Sequence, residues 1–363
     1  MATYYVRQSG GSDSNAGTSF AAGWATIQKA LDECNAGVLS AGDVVVICAD
    51  GTHSIASGSA LTSAGSLDVL FTGGNSTGGI DGTRATIQAS SSGWFGIDLL
   101  TINHTGLSFA NLVFDGNSLA YRCVYLDSSA GDNGWSRCRF TGAVGNGFDA
   151  DYEPDQNFSH CQFDLNGGKG LRDPSRAMCV DCFFDSNVND GVDGAQGRNR
   201  YINCVFYNNG TGGTGCGARA NSYSCFENCT FDSNESDGLC VGTGPVWATD
   251  CLFTNNGEYG MDGDGQVGYA IRCVFGSGDD ANTSGGSTDV TEIDCSTGTA
   301  AYDDAAGDDF TPGSGAGAID AGQQLPFEKN GSVTSDAGAV QRSTTTGGGG
   351  FASFINTGFI RKI

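Results

Sequence analysis

Proline is scarce in this chain, 5 of 363 residues against 59 glycines, and only 16% of residues are charged. Low proline and low charge beside so much glycine exclude a collagen-like or disordered chain. They point to many tight turns between short strands. Basic residues are scarce as well, 17 against 41 acidic, for a formal charge of −24. Phosphate backbones are held by clustered Lys and Arg, so nucleic acid and anionic membranes are poor partners. A polyanionic glycan would need a bridging cation, and calcium is the one that acidic loops take. No segment approaches the ~20 apolar residues that cross a bilayer. The opening MATYYVRQSG lacks a basic region followed by an apolar run, so no signal peptide is expected. His53, His104 and His160 are scattered, without triad or metal spacing, and no phosphate loop is present.

What is abundant is a repeat. Cys138, Cys161, Cys182, Cys204, Cys229, Cys251 and Cys273 are each followed two residues later by phenylalanine, at intervals of 23, 21, 22, 25, 22 and 22. A period near 22 is that of a solenoid. Asparagine stands five residues after the cysteine in five consecutive units, at Asn166, Asn187, Asn209, Asn234 and Asn256. These residues are expected to take left-handed turn geometry or to bond from coil to coil as an amide ladder. A glycine and an apolar residue come next, as in Gly147-Phe148, Gly191-Val192 and Gly215-Cys216, and open a second strand. A third strand returns to the next cysteine, with Val180, Ile202, Ile271 and Ile293 as its expected inward residues.

Three strands per unit predict an all-β, right-handed parallel β-helix, with handedness taken from the rule for parallel crossovers. The cysteines read as reduced, small core residues. Adjacent coils would hold their Cβ vectors parallel, against bridging. Cys34 and Cys48, outside the ladder, are the candidates for a disulfide. In GWATIQKALDEC, Trp24, Ile27, Leu31 and Cys34 recur at helical spacing and predict a capping helix over the first coil.

The segments YYVRQSGGSDSNAGTS…WATIQKAL, GDVVVICADGTH and DDFTPGSGAGAIDAG…SDAGAVQ resemble pectate-lyase-like right-handed β-helix proteins, and the opening resembles β-helix proteins of marine phages. The resemblance spans about residues 3–341. The expected organisation is a first strand and capping helix at 1–40, coils at 41–300, a closing segment at 301–341, a Gly-rich linker at 342–350 and an apolar peptide at 351–363. In that peptide Phe351, Phe354, Ile355, Phe359 and Ile360 are candidate anchors to another virion or surface protein.

The position after each glycine-apolar pair is expected to face outward, giving Asp149, Arg172 and Asp193, then Gly217, Cys240 and Asp262. Asp149 and Asp193 have the wide spacing of an inverting glycosidase pair. Resemblance to pectate lyases implies a base role for Arg172. Against both stands a plain reading, a cross-strand ion-pair ladder. The acidic turns at 261–265 and 278–280 could hold calcium but lack a full ligand spacing. The balance favours a non-catalytic virion or extracellular protein, a phage decoration or fibre component that contacts host glycans. A polysaccharide lyase or glycoside hydrolase is the alternative.

Overall fold

A computed structural model describes residues 1–57, 61–66, 68–127, 130–194, 197–276, 290–298, 302–304 and 309–312. The closing segment from 313, the linker, the anchor residues Phe351, Phe354, Ile355, Phe359 and Ile360, and the acidic turn at 278–280 lie outside these described residues. The chain winds into a β-solenoid of about ten turns with about 23 residues per turn. Three parallel sheets form its walls. The first has twelve strands, from Thr3–Val6 to Val290–Ile293; the second has eleven, from His53–Ala56 to Ser296–Gly298; the third has nine, from Leu61–Ser66 to Met261–Asp262. Among the described residues the single helix is Ile27–Asn35. Thr26 caps it by accepting the Lys29 N–H, and its buried Ile27, Ala30, Leu31 and Cys34 cover the end of the stack.

The second sheet holds the phenylalanines. Phe114, Phe140, Phe163, Phe184, Phe206, Phe231, Phe253 and Phe275 stack with centroids 4.7 to 5.5 Å apart, all fully buried. Each such contact adds about 0.5–1.5 kcal/mol beyond the area it buries. The seven ladder thiols line the adjoining corner and are buried. Each donates to the carbonyl two residues earlier, as Cys161 does to Ser159 and Cys204 to Ile202 at 3.5 and 3.4 Å. A residue with positive φ just before the cysteine makes the corner: Arg137, His160, Asp181, Asn203, Asn228, Asp250 and Arg272, at 52 to 55°.

That corner corrects the expected third strand. A left-handed residue breaks the alternation of faces, so the inward position falls three residues before the cysteine, not two. Phe158, Cys179, Tyr201, Phe226, Ala248 and Ala270 are the buried residues. Val180, Ile202 and Ile271 are only partly buried, and Ile293 is exposed.

The asparagines divide the two expectations made for them. None of the five has positive φ; the residue before each one does, namely Leu165, Ser186, Asn208, Ser233 and Asn255. The side chains are buried and form the ladder between coils. Nδ2 of Asn166, Asn187, Asn209 and Asn234 each donates to Oδ1 of the next asparagine, at 3.0, 2.9, 3.1 and 2.9 Å. The same Nδ2 atoms donate to the carbonyls of Phe140, Phe163, Phe184 and Phe206. Both amide hydrogens are therefore used, which lets a polar group sit in the corner of the prism.

Glycine then follows because backbones meet there. A Cβ on Gly191 would stand 2.5 Å from the Gly217 carbonyl, and one on Gly217 would stand 2.6 Å from that of Gly238. Gly217, not Gly215, is thus the repeat glycine of its coil.

Candidate functional site

On the outer face of the third sheet, registered pairing aligns Tyr125, Asp149, Arg172, Asp193, Arg219, Cys240 and Asp262 in successive coils. The shift of the repeat glycine puts Arg219 where Gly217 was expected, and four consecutive positions alternate in sign. A second row lies in the turn before each strand, two residues ahead of the inward apolar residue. It runs Asp98, Arg122, Asn146, Lys169, Asp190, Cys216 and Asp237.

The two rows interlock. Arg122 grips Asp98 with Nε at 2.7 Å and Nη2 at 2.9 Å, and reaches Oδ2 of Asp149 with Nη1 at 2.9 Å. Arg172 Nη1 reaches the same oxygen at 3.1 Å, and Asn146 Nδ2 at 3.2 Å. Asp149 is therefore wholly buried although it lies on the outer side of its strand. Lys169 pairs with Asp193, and Arg172 Nε lies 3.0 Å from Asp173 in an ion pair without hydrogen-bond alignment.

Burial is the largest influence on Arg122 and works against its charge, but its bonds to Asp98 and Asp149 more than offset this and hold its pKa above the ordinary value. The same balance, with Asp149 and Asp173 as the attracting charges, raises Arg172. Burial raises Asp98, Asp173 and Asp190, in each case against an arginine that pulls the other way. Burial also pushes Asp237 up to about 6, and the charges of Asp262 and Glu258 add to it.

Two features of this face were not foreseen. Arg122 lacks the C-x-F frame that made the later coils legible, though a basic residue before an apolar strand was a usable signal. The disulfide joins Cys216 to Cys240, while Cys34 and Cys48 are free. Cys216 belongs to the turn row and Cys240 to the strand row of the next coil. The bridge thus runs diagonally and escapes the parallel Cβ vectors that oppose bridging along one row. In the acidic turn at 261–265, Asp262 Oδ1 accepts the Asp264 N–H at 3.1 Å and closes the turn.

Elsewhere, a shallow open cleft of about 290 Å³ lies between the third and first sheets, lined by Ser175, Arg176, Gly197, Arg198, Ser222 and Tyr223. Arg176 pairs with Asp155 at 2.6 Å, and Arg198 is exposed. Tyr223 is exposed and stacks on Trp247, which stacks on Tyr269.

No family model matches the chain, and no curated protein matches it. Solved structures do. Pectate lyase Pel9A is 16% identical, with a TM-score of 0.74 over 94% of this chain and 97% of its own. The ORF18 protein of Geobacillus virus E2 is also 16% identical, with a TM-score of 0.60 over 82% of this chain; the match spans 60% of the viral protein. The A-module of the Azotobacter vinelandii mannuronan C-5 epimerase AlgE4 is 14% identical, with a TM-score of 0.58 over 81% of this chain and 95% of its own. What these proteins share with the chain is its architecture, and the fold is that of the pectate-lyase-like right-handed parallel β-helix.

Proposed function

We propose that this chain is a virion-borne or surface-displayed structural β-helix, attached through residues 351–363, whose flank holds a glycan without cleaving it. The observation that carries the non-catalytic reading is Asp149. A general acid or base must offer a proton or a free lone pair to the substrate. Here one carboxylate oxygen lies under two guanidinium groups, in a side chain with no exposure. Arg172 as a base would have to lose a proton that Asp149 and Asp173 help it keep. Lys169 occupies Asp193. The row has the composition of an interlayer brace.

The glycan role is supported by the cleft beside Tyr223. The cleft is wide enough for about one sugar ring, and it offers serine hydroxyls, the exposed Arg198 beside the Asp155-paired Arg176, and an exposed aromatic ring. Arginine in that setting favours an anionic sugar, which answers the repulsion expected from the chain's overall charge. The fold likeness to a viral protein is in keeping with virion attachment.

The test uses the full chain on a panel of acidic and neutral polysaccharides, reading binding together with unsaturated and reducing ends. Binding without products, weakened by Arg198→Ala and Tyr223→Ala, is the expected result. Products that vanish in Arg172→Ala and Asp193→Ala, with folding intact, would establish the lyase or hydrolase reading instead. Mass spectrometry of purified virions against culture supernatant tests location. Deletion of 342–363 is expected to abolish assembly onto the partner and leave the solenoid folded.

A further inference from the structure

The Cys216–Cys240 pair has a third member. Oδ2 of Asp237 lies 3.1 Å from Sγ of Cys240 and 3.9 Å from Sγ of Cys216. All three side chains are buried, and their donor atoms fall within 4.8 Å of one another. The surroundings of Asp237 are acidic: Asp262, beside Cys240 in the next coil, and Glu258. The Asp237 carboxylate accepts the Tyr259 N–H at 3.0 Å and the Ser236 hydroxyl at 3.2 Å, both neutral donors, so a positive charge beside it would be favoured. Arg219 approaches only the far side, with Nη2 3.6 Å from Sγ of Cys216 and Nε 3.8 Å from Asp190.

We propose that Cys216, Cys240 and Asp237, when the two sulfurs are reduced, form a site for one thiophilic divalent cation of the zinc class. Two thiolates and a carboxylate make a donor set for zinc, with one tetrahedral position left for water. Thiolate sulfur excludes calcium and magnesium as the preferred ions. The three negative charges of the donor set are offset by the cation and by Arg219. The Cα atoms, 6.3 Å apart, need not move far. Two sulfurs on one zinc stand about 3.8 Å apart, from bonds of about 2.3 Å, whereas a disulfide holds them at about 2.0 Å. Metal and disulfide are therefore mutually exclusive. A dithiol reductant supplies two electrons and two protons to the bridge and leaves as its own disulfide. Zinc then displaces the two thiol protons to solvent, making binding stronger as pH rises.

The site differs from the ladder thiols in that a carboxylate faces its sulfurs. Those thiols turn instead to backbone carbonyls, as Cys161 and Cys204 do. They serve as an internal control, since they are present in every form of the chain.

The test compares the full chain after dithiothreitol treatment and anaerobic desalting with the oxidised chain and with C216S/C240S. Cobalt(II) is the probe, followed by zinc displacement. The reduced chain is expected to show a sulfur-to-cobalt charge-transfer band that saturates near one equivalent and disappears on adding zinc. The oxidised chain and the double variant show none, and Asp237→Asn weakens binding by about tenfold or more. An equal band in the oxidised chain, or no band in the reduced chain, overturns the proposal. Neither readout depends on how the variant folds, and neither involves a glycan, so failure here leaves the proposed function untouched.

Discussion

Nη1 of Arg122 lies 2.9 Å from Oδ2 of Asp149, bridging two coils with a guanidinium that also clamps Asp98. Arg122 is the less exposed of the two arginines on that carboxylate, 16% against 39% for Arg172, and covers the Tyr125 ring at 3.7 Å. Removing one partner of a buried pair strands the other, at about 3–5 kcal/mol. Arg122→Ala is expected to fall in that range, because it strands Asp98 and half-strands Asp149. Arg172→Ala also half-strands Asp149 and removes the contact with Asp173. Its guanidinium is 39% exposed and that contact is not aligned as a hydrogen bond, so the loss should be smaller, nearer the ~1 kcal/mol of a solvated pair. Urea unfolding of both variants gives the order; an equal or larger loss in Arg172→Ala would mean that Arg122 is not the main brace.

The amide ladder makes a second prediction. Asn209 donates to Asn234 and Phe184 and accepts from Asn187, all in the buried corner. Asn209→Ala removes the acceptor shared by the Asn187 side-chain and backbone N–H groups, and the side-chain donor to Asn234 Oδ1 and the Phe184 carbonyl, a loss of about 2–4 kcal/mol. Asn209→Asp should be worse at neutral pH, since its oxygens would face the Phe184 carbonyl and Asn234 Oδ1, and should recover as pH falls and the carboxyl is protonated. Thermal unfolding of the two variants across pH separates these effects.

The legible parts of the fold were those that stack on themselves. Phenylalanine over phenylalanine and asparagine over asparagine leave a period in the sequence because each coil needs the same side chain at the same corner. Phase within the coil was harder. A left-handed residue such as Asp181 or Asn203 leaves no apolar mark, so the sequence pattern points to Val180 and Ile202 as inward where Cys179 and Tyr201 are. The outer face was legible for Asp149, Arg172 and Asp193, where coils have regular length. It failed at Arg219, where the longer coil from Cys204 to Cys229 offers two glycine candidates. Arg122 and the Cys216–Cys240–Asp237 cluster depend on diagonal contacts between rows, which no single period encodes.

Leu165 shows the same corner from another side. It has φ of 55° and is 58% exposed, whereas the equivalent positions in later coils carry Ser186, Asn208, Ser233 and Asn255. A left-handed conformation costs a residue with a Cβ about 1–2 kcal/mol, and asparagine least among them. Leu165→Asn is therefore expected to stabilise the chain by about 0.5–1 kcal/mol while removing an exposed apolar group. A lowered urea midpoint would show that Leu165 makes a contribution that its exposure conceals.

Acid should stabilise this protein over a range where many proteins begin to weaken. Burial raises Asp98, Asp173, Asp190, Asp232 and Asp237 above their ordinary values, Asp237 to about 6. Between the unfolded carboxyl value of about 3.9 and these raised values, the folded chain holds protons that the unfolded chain has released. The stability they contribute is then fully present below about pH 3.9 and is lost as pH rises through the folded values, up to about 6 for Asp237. His53 opposes this: burial lowers it, so its share is lost as pH falls below about 6.5. Asp43, lowered by hydrogen bonds from the Ala2 and Ser40 N–H groups, and Asp81, lowered to about 2 by Thr83 and Asn75, act only below about pH 3.9, where stability falls again. Five raised carboxyls against one histidine give a melting temperature that is highest at about pH 4 and declines towards neutrality. Asp237→Asn should flatten part of that decline and raise stability at pH 7 by on the order of 1–3 kcal/mol. Calorimetry from pH 3.5 to 7.5 on both chains reads this directly, and a melting temperature that climbs steadily from pH 4 to 7 would show that these carboxyls are ionised without strain in the fold.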